Sequence, residues 1–307
     1  MEYFLHDLSW VLPLRSDTAT IIFNGFTWLG YTPFFLIFLP IGYWLWGRAA
    51  FTRLAVLVVI TALVNGWLKD FWQDPRPDIA FQLDADRVSD SYGLPSGHAQ
   101  IALVMWFWLA YEFKRAWGWV VAAILVAGVS FSRLYLGVHD VEDIIVGLAL
   151  GLVTLVLFAL AMREDVQAYW RRIPGSIGFA VIILSIPLLW LIWPEGRQPN
   201  EIAAVLFLLL GWFAGTSLDR RTAPEEPVRP AWWLQIIMAV GGILGLFAIR
   251  DLLTMAGNIE QFPEIVTGYI TVFAIGIYAT YIAPSIFRLL GLMKQPQSES
   301  NELQSAS

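Results

Sequence analysis

The amino-acid sequence predicts an all-α protein, a polytopic transmembrane helical bundle of about nine spans. Apolar residues make up 58% of the 307 residues, and charged residues make up only 14%. Continuous apolar runs that are long enough to cross a hydrocarbon core of about 30 Å recur along the chain. Because lipid cannot satisfy free backbone groups, such runs must form helices or a closed barrel, and continuous rather than alternating runs favour helices.

The predicted elements follow in chain order. Residues 1–29 mix charged and apolar side chains, which predicts an N-terminal segment lying in the membrane interface. The spans that follow form a first group within residues 30–193 and an additional three-helix region within 200–292, before a polar tail, 293–307, that is predicted to be disordered. Tryptophans near many span ends suit the two interfaces. The predicted spans are 30–46, 51–72, 97–113, 117–131, 141–161, 177–193, 202–218, 232–253 and 265–290.

Basic residues are distributed unequally between the two sides that nine spans define. Twelve of the nineteen lysines and arginines fall on one side, which the positive-inside rule makes cytoplasmic. Three polar segments, 69–77, 95–98 and 132–143, fall on the other side. We therefore expect an integral protein of a bacterial cytoplasmic (inner) membrane, with these segments on the periplasmic or extracellular face. The twelve basic residues are Arg48, Arg53, Lys114, Arg115, Arg163, Arg171, Arg172, Arg220, Arg221, Arg229, Arg288 and Lys294.

Composition also limits the classes of function. The chain has no cysteine, which excludes disulfides, thiolate nucleophiles and cysteine metal sites. The net charge of -6 is divided between two membrane faces, so it predicts no nucleic-acid partner. Several aspartates surround the first polar segment without the spacing of metal ligands, so no metal site is predicted. These aspartates are Asp70, Asp74, Asp78, Asp84, Asp86 and Asp90.

The first polar segment consists of Lys69, six further residues, then Arg76 and Pro77. A lysine that leaves a helix and an arginine that follows a turn can converge on one anion, the lysine as a point charge and the arginine as a planar fork. Alone, the pair is more typical of cations that extend to a membrane interface.

The second segment is Pro95, Ser96, Gly97 and His98, at the start of the third predicted span. Free N–H groups at a helix N-terminus bind anions, glycine allows a close approach, and the serine hydroxyl can add a donor. Alone, a histidine at a helix start is more often a capping residue than a catalyst.

The third segment consists of Ser132, Arg133, five residues, His139, three residues and Asp143. If a helix begins at Val138, then His139 and Asp143 lie four residues apart on one helical face. The carboxylate could then accept the Nδ1 proton of the imidazole and leave Nε2 free as a nucleophile. Alone, such a pair could equally be structural.

Together the three segments resemble the three-part signature of the type 2 phosphatidic acid phosphatase superfamily, which includes lipid phosphate phosphatases, glucose-6-phosphatase, bacterial acid phosphatases and vanadium haloperoxidases. Two of the three histidines fall within the segments and only His6 lies outside, which argues against chance placement. The signature spans 69–143, and the resemblance in architecture reaches about residue 193. It implies that residues 30–193 form a catalytic core with the acid phosphatase/vanadium haloperoxidase-like helical fold.

The resemblance also implies a role for each signature residue. His139 attacks phosphorus to form a phosphohistidine, Asp143 fixes the His139 tautomer, and His98 protonates the leaving oxygen. No metal and no cofactor is required. Asp140 and Glu142 flank the nucleophile and are predicted to be surface or supporting groups. The phosphate oxygens would be held by Lys69, Arg76, Ser96, Gly97 and Arg133.

We therefore expect an integral membrane phosphatase that hydrolyses a lipid phosphate or lipid diphosphate monoester. Cations at headgroup depth can receive a phosphate whose tail stays in the lipid bilayer. Three alternatives stay open: a lipid-to-lipid phosphotransferase, a phosphatase of a soluble ester, and a non-catalytic transporter or scaffold. The loop 78–94 is expected either to cover the site or contact lipid headgroups, or to be an ordinary ordered loop.

Overall fold

The structure is a computed structural model that describes residues 5–83, 91–173, 175–194 and 196–293. Within these residues it contains twelve α-helices and no β-strand, so the predicted all-α class is confirmed. The predicted tail and the centre of the loop 78–94 lie outside the described residues. The helices are α1 (Asp17–Trp28), α2 (Thr32–Leu45), α3 (Arg48–Trp72), α4 (Gly97–Phe113), α5 (Ala116–Tyr135), α6 (Val141–Ala161), α7 (Glu164–Trp170), α8 (Gly175–Ile192), α9 (Asn200–Thr222), α10 (Trp232–Ile259), α11 (Glu264–Ile277) and α12 (Ala283–Leu289).

Each of the nine predicted spans coincides with helix in the described chain. Seven spans are long and apolar enough to cross a membrane, and α11 and α12 form one of them through the π-helical turn Tyr278–Ile282. A bend of 57° separates α1 from α2, and this pair adds an eighth span if it is counted as one. The number of spans is lower than the nine predicted because two predicted spans form short helices. These are α2, with 14 residues, and α4, with 17. At about 1.5 Å per residue, both are shorter than a hydrocarbon core of about 30 Å.

The chain divides into two compact units. The first comprises Met1–Leu36 and Leu54–Ile202, and it contains all three motif segments. The second comprises Ile37–Arg53 and Ala203–Ser307. The domain boundaries predicted from the sequence stay predictions.

In the first unit, α6 lies close against the beginning of α4. A Cβ atom at Gly147 of α6 would lie 2.6 Å from the carbonyl oxygen of Ser96, so only glycine fits there. At this approach the Ser96 N–H donates to the carbonyl oxygen of Asp143 at 3.0 Å. On the other side, the buried Asn65 of α3 donates through Nδ2 to the carbonyl oxygen of Pro95 at 3.2 Å. Helices α3 and α6 therefore fix the second motif at the start of α4.

The described part of the N-terminal segment packs into the core of the first unit. Leu8 and Val11 are buried in one cluster with Tyr135 and Val138. Arg15 follows a short 3₁₀ turn and donates to the carbonyl oxygen of Tyr135 at 3.0 Å. The segment is therefore attached to the end of α5 and to the turn that precedes α6. Its predicted position in the membrane interface stays a prediction.

The second unit contains a buried ionic cluster. The carboxylate of Asp219, near the end of α9, is fully buried and contacts two arginines. Arg48 Nη1 lies 2.7 Å from Oδ2, and Arg288 Nη1 lies 2.8 Å from Oδ1. Arg48 also donates to the carbonyl oxygen of Ala223 at 2.8 Å. One carboxylate thus pairs with cations from the start of α3 and from α12.

Candidate active site

The predicted nucleophile and its carboxylate are in direct contact. His139 Nδ1 lies 2.8 Å from Asp143 Oδ2, and the two side chains are 3% and 1% exposed. Arg76 Nη1 lies 3.4 Å from Nε2 of the same ring. Because a guanidinium can only donate, Nε2 must carry the lone pair while Nδ1 carries the proton that is donated to Asp143. His139 therefore presents an unprotonated nitrogen to Arg76.

Helix α6 begins at Val141 rather than at Val138, so His139 and Asp143 do not share one helical face. Asp140 is the N-cap residue. Its side chain accepts the N–H of Asp143 at 3.0 Å, and Asp143 Oδ2 accepts the N–H of Asp140 at 3.3 Å. This reciprocal capping box turns the Asp143 carboxylate back toward the imidazole. The predicted contact is present, but capping geometry produces it, and Asp140 is a buried group.

The turn before α6 depends on a glycine. Gly137 has φ +71°, in the left-handed region that favours glycine, and a Cβ atom there would overlap the carbonyl oxygen of Phe81. Nearby, the Leu83 N–H donates to the carbonyl oxygen of Leu136 at 3.0 Å. The segment 79–83 therefore packs directly on the turn that carries His139.

Two predicted cations are fixed by acceptors from the loop before α4. Arg76 donates through Nε to the carbonyl oxygen of Ser91 and through Nη2 to its hydroxyl, each at 2.7 Å. Its Nη1 donates to the carbonyl oxygen of Val138 at 2.7 Å. Lys69, in the last turn of α3, donates to the carbonyl oxygen of Gly93 at 2.9 Å. Neutral carbonyls hold both side chains without cancelling their charge.

The third cation and the second histidine share a partner. Arg133, in the last turn of α5, donates through Nη1 to the hydroxyl of Thr27. The backbone of Thr27 is a hydrogen-bond partner of the His98 ring. Tyr31 packs edge-on against His98, with ring centroids 5.0 Å apart and an interplanar angle of 87°. The end of α1 and the turn after it therefore position two site residues.

Four buried polar atoms of the predicted site have no hydrogen-bond partner within the described part of the chain. These atoms are Ser96 Oγ, His98 Nε2, Arg133 Nε and Asp143 Oδ1. Ser96 is the N-cap residue of α4, yet its hydroxyl makes no capping bond. Gly97 follows at the first helical position, where the N–H has no intrahelical acceptor. Because an unsatisfied buried polar group costs about 1–3 kcal/mol, this arrangement fits an anion with several oxygens.

Burial and neighbouring charge set the protonation state of the nucleophile. Burial lowers the pKa of His139 well below its usual value of 6.5, and the charges of Lys69, Arg133 and Arg76 lower it further. Burial, together with the charge of Arg133, lowers the pKa of Arg76 to about 10. At neutral pH the His139 imidazole is therefore neutral, and Arg76 keeps its charge.

All eight predicted site residues belong to the first unit. Sequence reasoning missed several residues that support them. Asp140 carried a usable signal, because an aspartate three residues before a carboxylate at the start of an apolar run is typical of a capping box. Thr27, Ser91 and Asn65 carried none, since each acts on a partner that is distant in the sequence.

Comparison with known proteins places these motifs in a family. The profile of the PAP2 superfamily matches residues 50–167, and that of the PAP2 superfamily phosphatase transmembrane extension matches residues 202–295. Sphingosine-1-phosphate phosphatase 2 of Mus musculus is 33% identical over 312 aligned positions, which cover 86% of each chain. Lipid phosphate phosphatase delta of Arabidopsis thaliana is 26% identical over 191 positions, which cover 54% of this chain and 46% of that protein.

Among solved structures, the first transmembrane PAP2-type phosphatidylglycerolphosphate phosphatase from Bacillus subtilis matches with a TM-score of 0.44 and 22% identity. The match covers 51% of this chain and 84% of that chain.

The chain belongs to the PAP2 superfamily, as its three motifs predicted. It is an integral membrane protein of the class of lipid phosphate phosphatases, and it carries the superfamily's transmembrane extension. The three motif segments lie within the matched range 50–167.

Proposed function

We propose that the protein hydrolyses a lipid phosphate or lipid diphosphate monoester through a phosphohistidine on His139, without a metal ion. The observation that carries this proposal is the state of the His139 ring. Nδ1 donates to Asp143 at 2.8 Å, and Nε2 is unprotonated 3.4 Å from Arg76. A neutral, oriented imidazole beside cations is suited to attack phosphorus.

In the first step, His139 Nε2 forms a bond to phosphorus while the bond from phosphorus to the lipid oxygen breaks. The leaving oxygen takes a proton from His98, whose Nε2 is buried without a partner in the described chain. In the second step, water attacks phosphorus, His98 takes a proton from that water, and the bond to His139 breaks. Inorganic phosphate leaves, and both histidines return to their starting states.

Charge that develops on the phosphate oxygens is met by groups that are already in place. Lys69, Arg76 and Arg133 supply three positive charges close enough to affect His139. Ser96 and the N-terminal amides of α4, beginning at Gly97, add neutral donors. Preorganised donors and cations of this kind stabilise a phosphoryl-transfer transition state.

The lipid substrate that the comparisons favour is a sphingoid base phosphate. The relatives that align over 86–87% of this chain are named sphingosine-1-phosphate phosphatases. Phosphatidylglycerophosphatase B of Bacillus subtilis, 29% identical, aligns over 50% of this chain. A phosphatidylglycerol phosphate is therefore the second candidate substrate. The positive-inside count supports a site on the outer face of the membrane.

The test is phosphate release by the purified full chain in detergent. The substrates are sphingosine 1-phosphate, phosphatidylglycerol phosphate, phosphatidate, a prenyl diphosphate and glucose 6-phosphate. We expect release from the lipids in the presence of EDTA, fastest with sphingosine 1-phosphate, and none from the His139→Ala variant. A folded wild-type protein that releases phosphate from no substrate would contradict hydrolysis, and phosphate transfer to an added lipid would favour a phosphotransferase.

A further inference from the structure

His6 lies outside the three motifs, yet it contacts the beginning of α6. Its Nδ1 lies 2.6 Å from Asp140 Oδ2, and its Nε2 lies 3.2 Å from Glu142 Oε2. The Asp140 side chain is 8% exposed and that of Glu142 is 42% exposed. Because solvent screens the exposed pair, the contact with Asp140 is the stronger of the two.

We propose that His6 is a positioning residue for His139, an inference that rests on the proposed function. One oxygen of Asp140 is held by His6, and the other accepts the N–H of Asp143 at 3.0 Å. Asp143 Oδ2 in turn accepts the N–H of Asp140 and the Nδ1 proton of His139. A rotation of the Asp140 side chain would therefore move the carboxylate that orients the nucleophile.

The segment that carries His6 is anchored independently of that side chain. Leu8 and Val11 are buried against the end of α5 and the turn before α6. Arg15 donates to the carbonyl oxygen of Tyr135. Removing the imidazole should therefore leave the segment in place and change only the geometry of Asp140.

The charge on His6 couples this contact to pH. The hydrogen bond to Asp140 raises the pKa of His6 against the effect of burial, and the charges of Asp140, Glu142 and Asp74 raise it further. These three carboxylates are the charged groups that act on His6 in the described chain. Protonated His6 has two N–H donors and can serve both Asp140 and Glu142. As pH rises past its pKa, one donor is lost.

The experiment compares His6→Ala with His6→Asn in the full chain, using sphingosine 1-phosphate in detergent micelles. We expect His6→Ala to lower kcat about tenfold while KM changes less than about twofold, since no phosphate-binding cation contacts His6. His6→Asn should recover most of kcat, because its amide can donate to Asp140. The alkaline limb of the kcat–pH profile, where His6 loses its second N–H donor in the wild type, should lie at higher pH in His6→Asn. The reason is that asparagine does not titrate.

The control variant is Arg15→Gln, which loosens the same segment without contacting Asp140. It should lower the melting temperature but leave the alkaline limb where it is in the wild type. Equal kcat values for wild type and His6→Ala, or for His6→Ala and His6→Asn, would overturn the positioning role. An equal shift of the alkaline limb in Arg15→Gln would also overturn it.

Labelling with [15N]histidine gives a readout that needs no turnover, because the chain has only three histidines. We expect a single Nδ1–H tautomer for His139 in the wild type and mixed tautomers in His6→Ala. Identical His139 signals in both proteins would overturn the inference. A wild type without turnover would contradict the proposed function, and the tautomer comparison would still decide the role of His6.

Discussion

The two histidines of the site differ in how tightly the protein holds them. His139 is fixed between Asp143 at 2.8 Å and Arg76 at 3.4 Å, whereas His98 Nε2 has no partner among the described residues. A nucleophile gains from a single tautomer, while an acid must be free to reach the leaving oxygen. At the residue scale, their surroundings therefore match different chemical tasks.

The role of His98 predicts a dependence on the leaving group. His98→Ala should lower kcat by about 10²–10⁴-fold for a lipid phosphate, whose alkoxide is a poor leaving group. The loss should be much smaller for p-nitrophenyl phosphate, whose phenolate leaves without a proton. The measurement is kcat for both substrates, with His139→Ala as the control that loses both. An equal loss for the two substrates in His98→Ala would exclude a leaving-group role.

The lowered pKa of His139 predicts the acid limb of the pH profile. Attack requires neutral His139, so on the acid side kcat falls when pH drops below that lowered pKa, and the acid limb lies below pH 6.5. Arg76→Gln removes one of the lowering charges, so the limb should move to higher pH. The measurement is kcat between about pH 4 and 9. Arg163→Gln, at an exposed position, is the control, and an Arg76→Gln limb that matches it would contradict the assignment.

At the element scale, the close approach of α6 to the start of α4 should depend on Gly147. In Gly147→Ala the new Cβ atom would lie 2.6 Å from a backbone oxygen that cannot move freely. We expect a loss of about 1–3 kcal/mol of stability, together with lower kcat because Ser96 is displaced. Thermal unfolding in detergent and phosphate release measure the two effects.

Gly178→Ala in α8 is the matched control, since nothing lies within 4 Å of its Cβ position. It should be neutral, or more stable by up to about 1 kcal/mol. Equal stability of the two variants would show that the helices tolerate a wider separation.

The buried cluster of the second unit predicts an unequal response to loss of a carboxylate. Asp219→Ala would leave Arg48 and Arg288 without their counter-charge, so we expect a loss of about 3–5 kcal/mol. Asp251 pairs with Arg250 on the surface, and Asp251→Ala should cost about 0–1 kcal/mol. Thermal unfolding of both variants in detergent tests this difference. A similar melting temperature for both would contradict a stabilising role for the cluster.

Helices and helix ends were not equally predictable from the sequence. Long apolar runs locate spans because only a helix satisfies its backbone in lipid. Ends depend on caps: Asp140 caps α6, which begins at Val141 as in the predicted span 141–161 and not at the Val138 that a shared helical face for His139 and Asp143 would require. Asp219 ends an ordinary apolar run, and its arginine partners are too distant in the sequence to give a local signal.

For the whole molecule, the site was predictable where it lies in compact motifs. The three segments together, through their resemblance to a family signature, predicted Lys69, Arg76 and His139 as site residues, and the structure places Arg76 beside His139. The support from α1 and the N-terminal segment was not predictable. Thr27 and His6 are single polar residues without a motif, and only folding brings them to Arg133 and Asp140.

Membrane orientation gives the last prediction. The positive-inside count predicts an outer position for the site and for the loop after α10, and a cytoplasmic position for the segment after α6 that includes α7. Glu260 follows α10 and Asp165 lies in α7, and both residues are exposed. Because the chain has no cysteine, Glu260→Cys and Asp165→Cys each create a single thiol, and the unmodified chain is the blank.

A membrane-impermeant maleimide should label Glu260→Cys in intact cells and Asp165→Cys only after permeabilisation. The opposite pattern would place the site in the cytoplasm. The phosphatase would then act on lipids of the inner leaflet. Phosphate release by both variants should match that of the wild type, because both residues are exposed and lie outside the three motif segments.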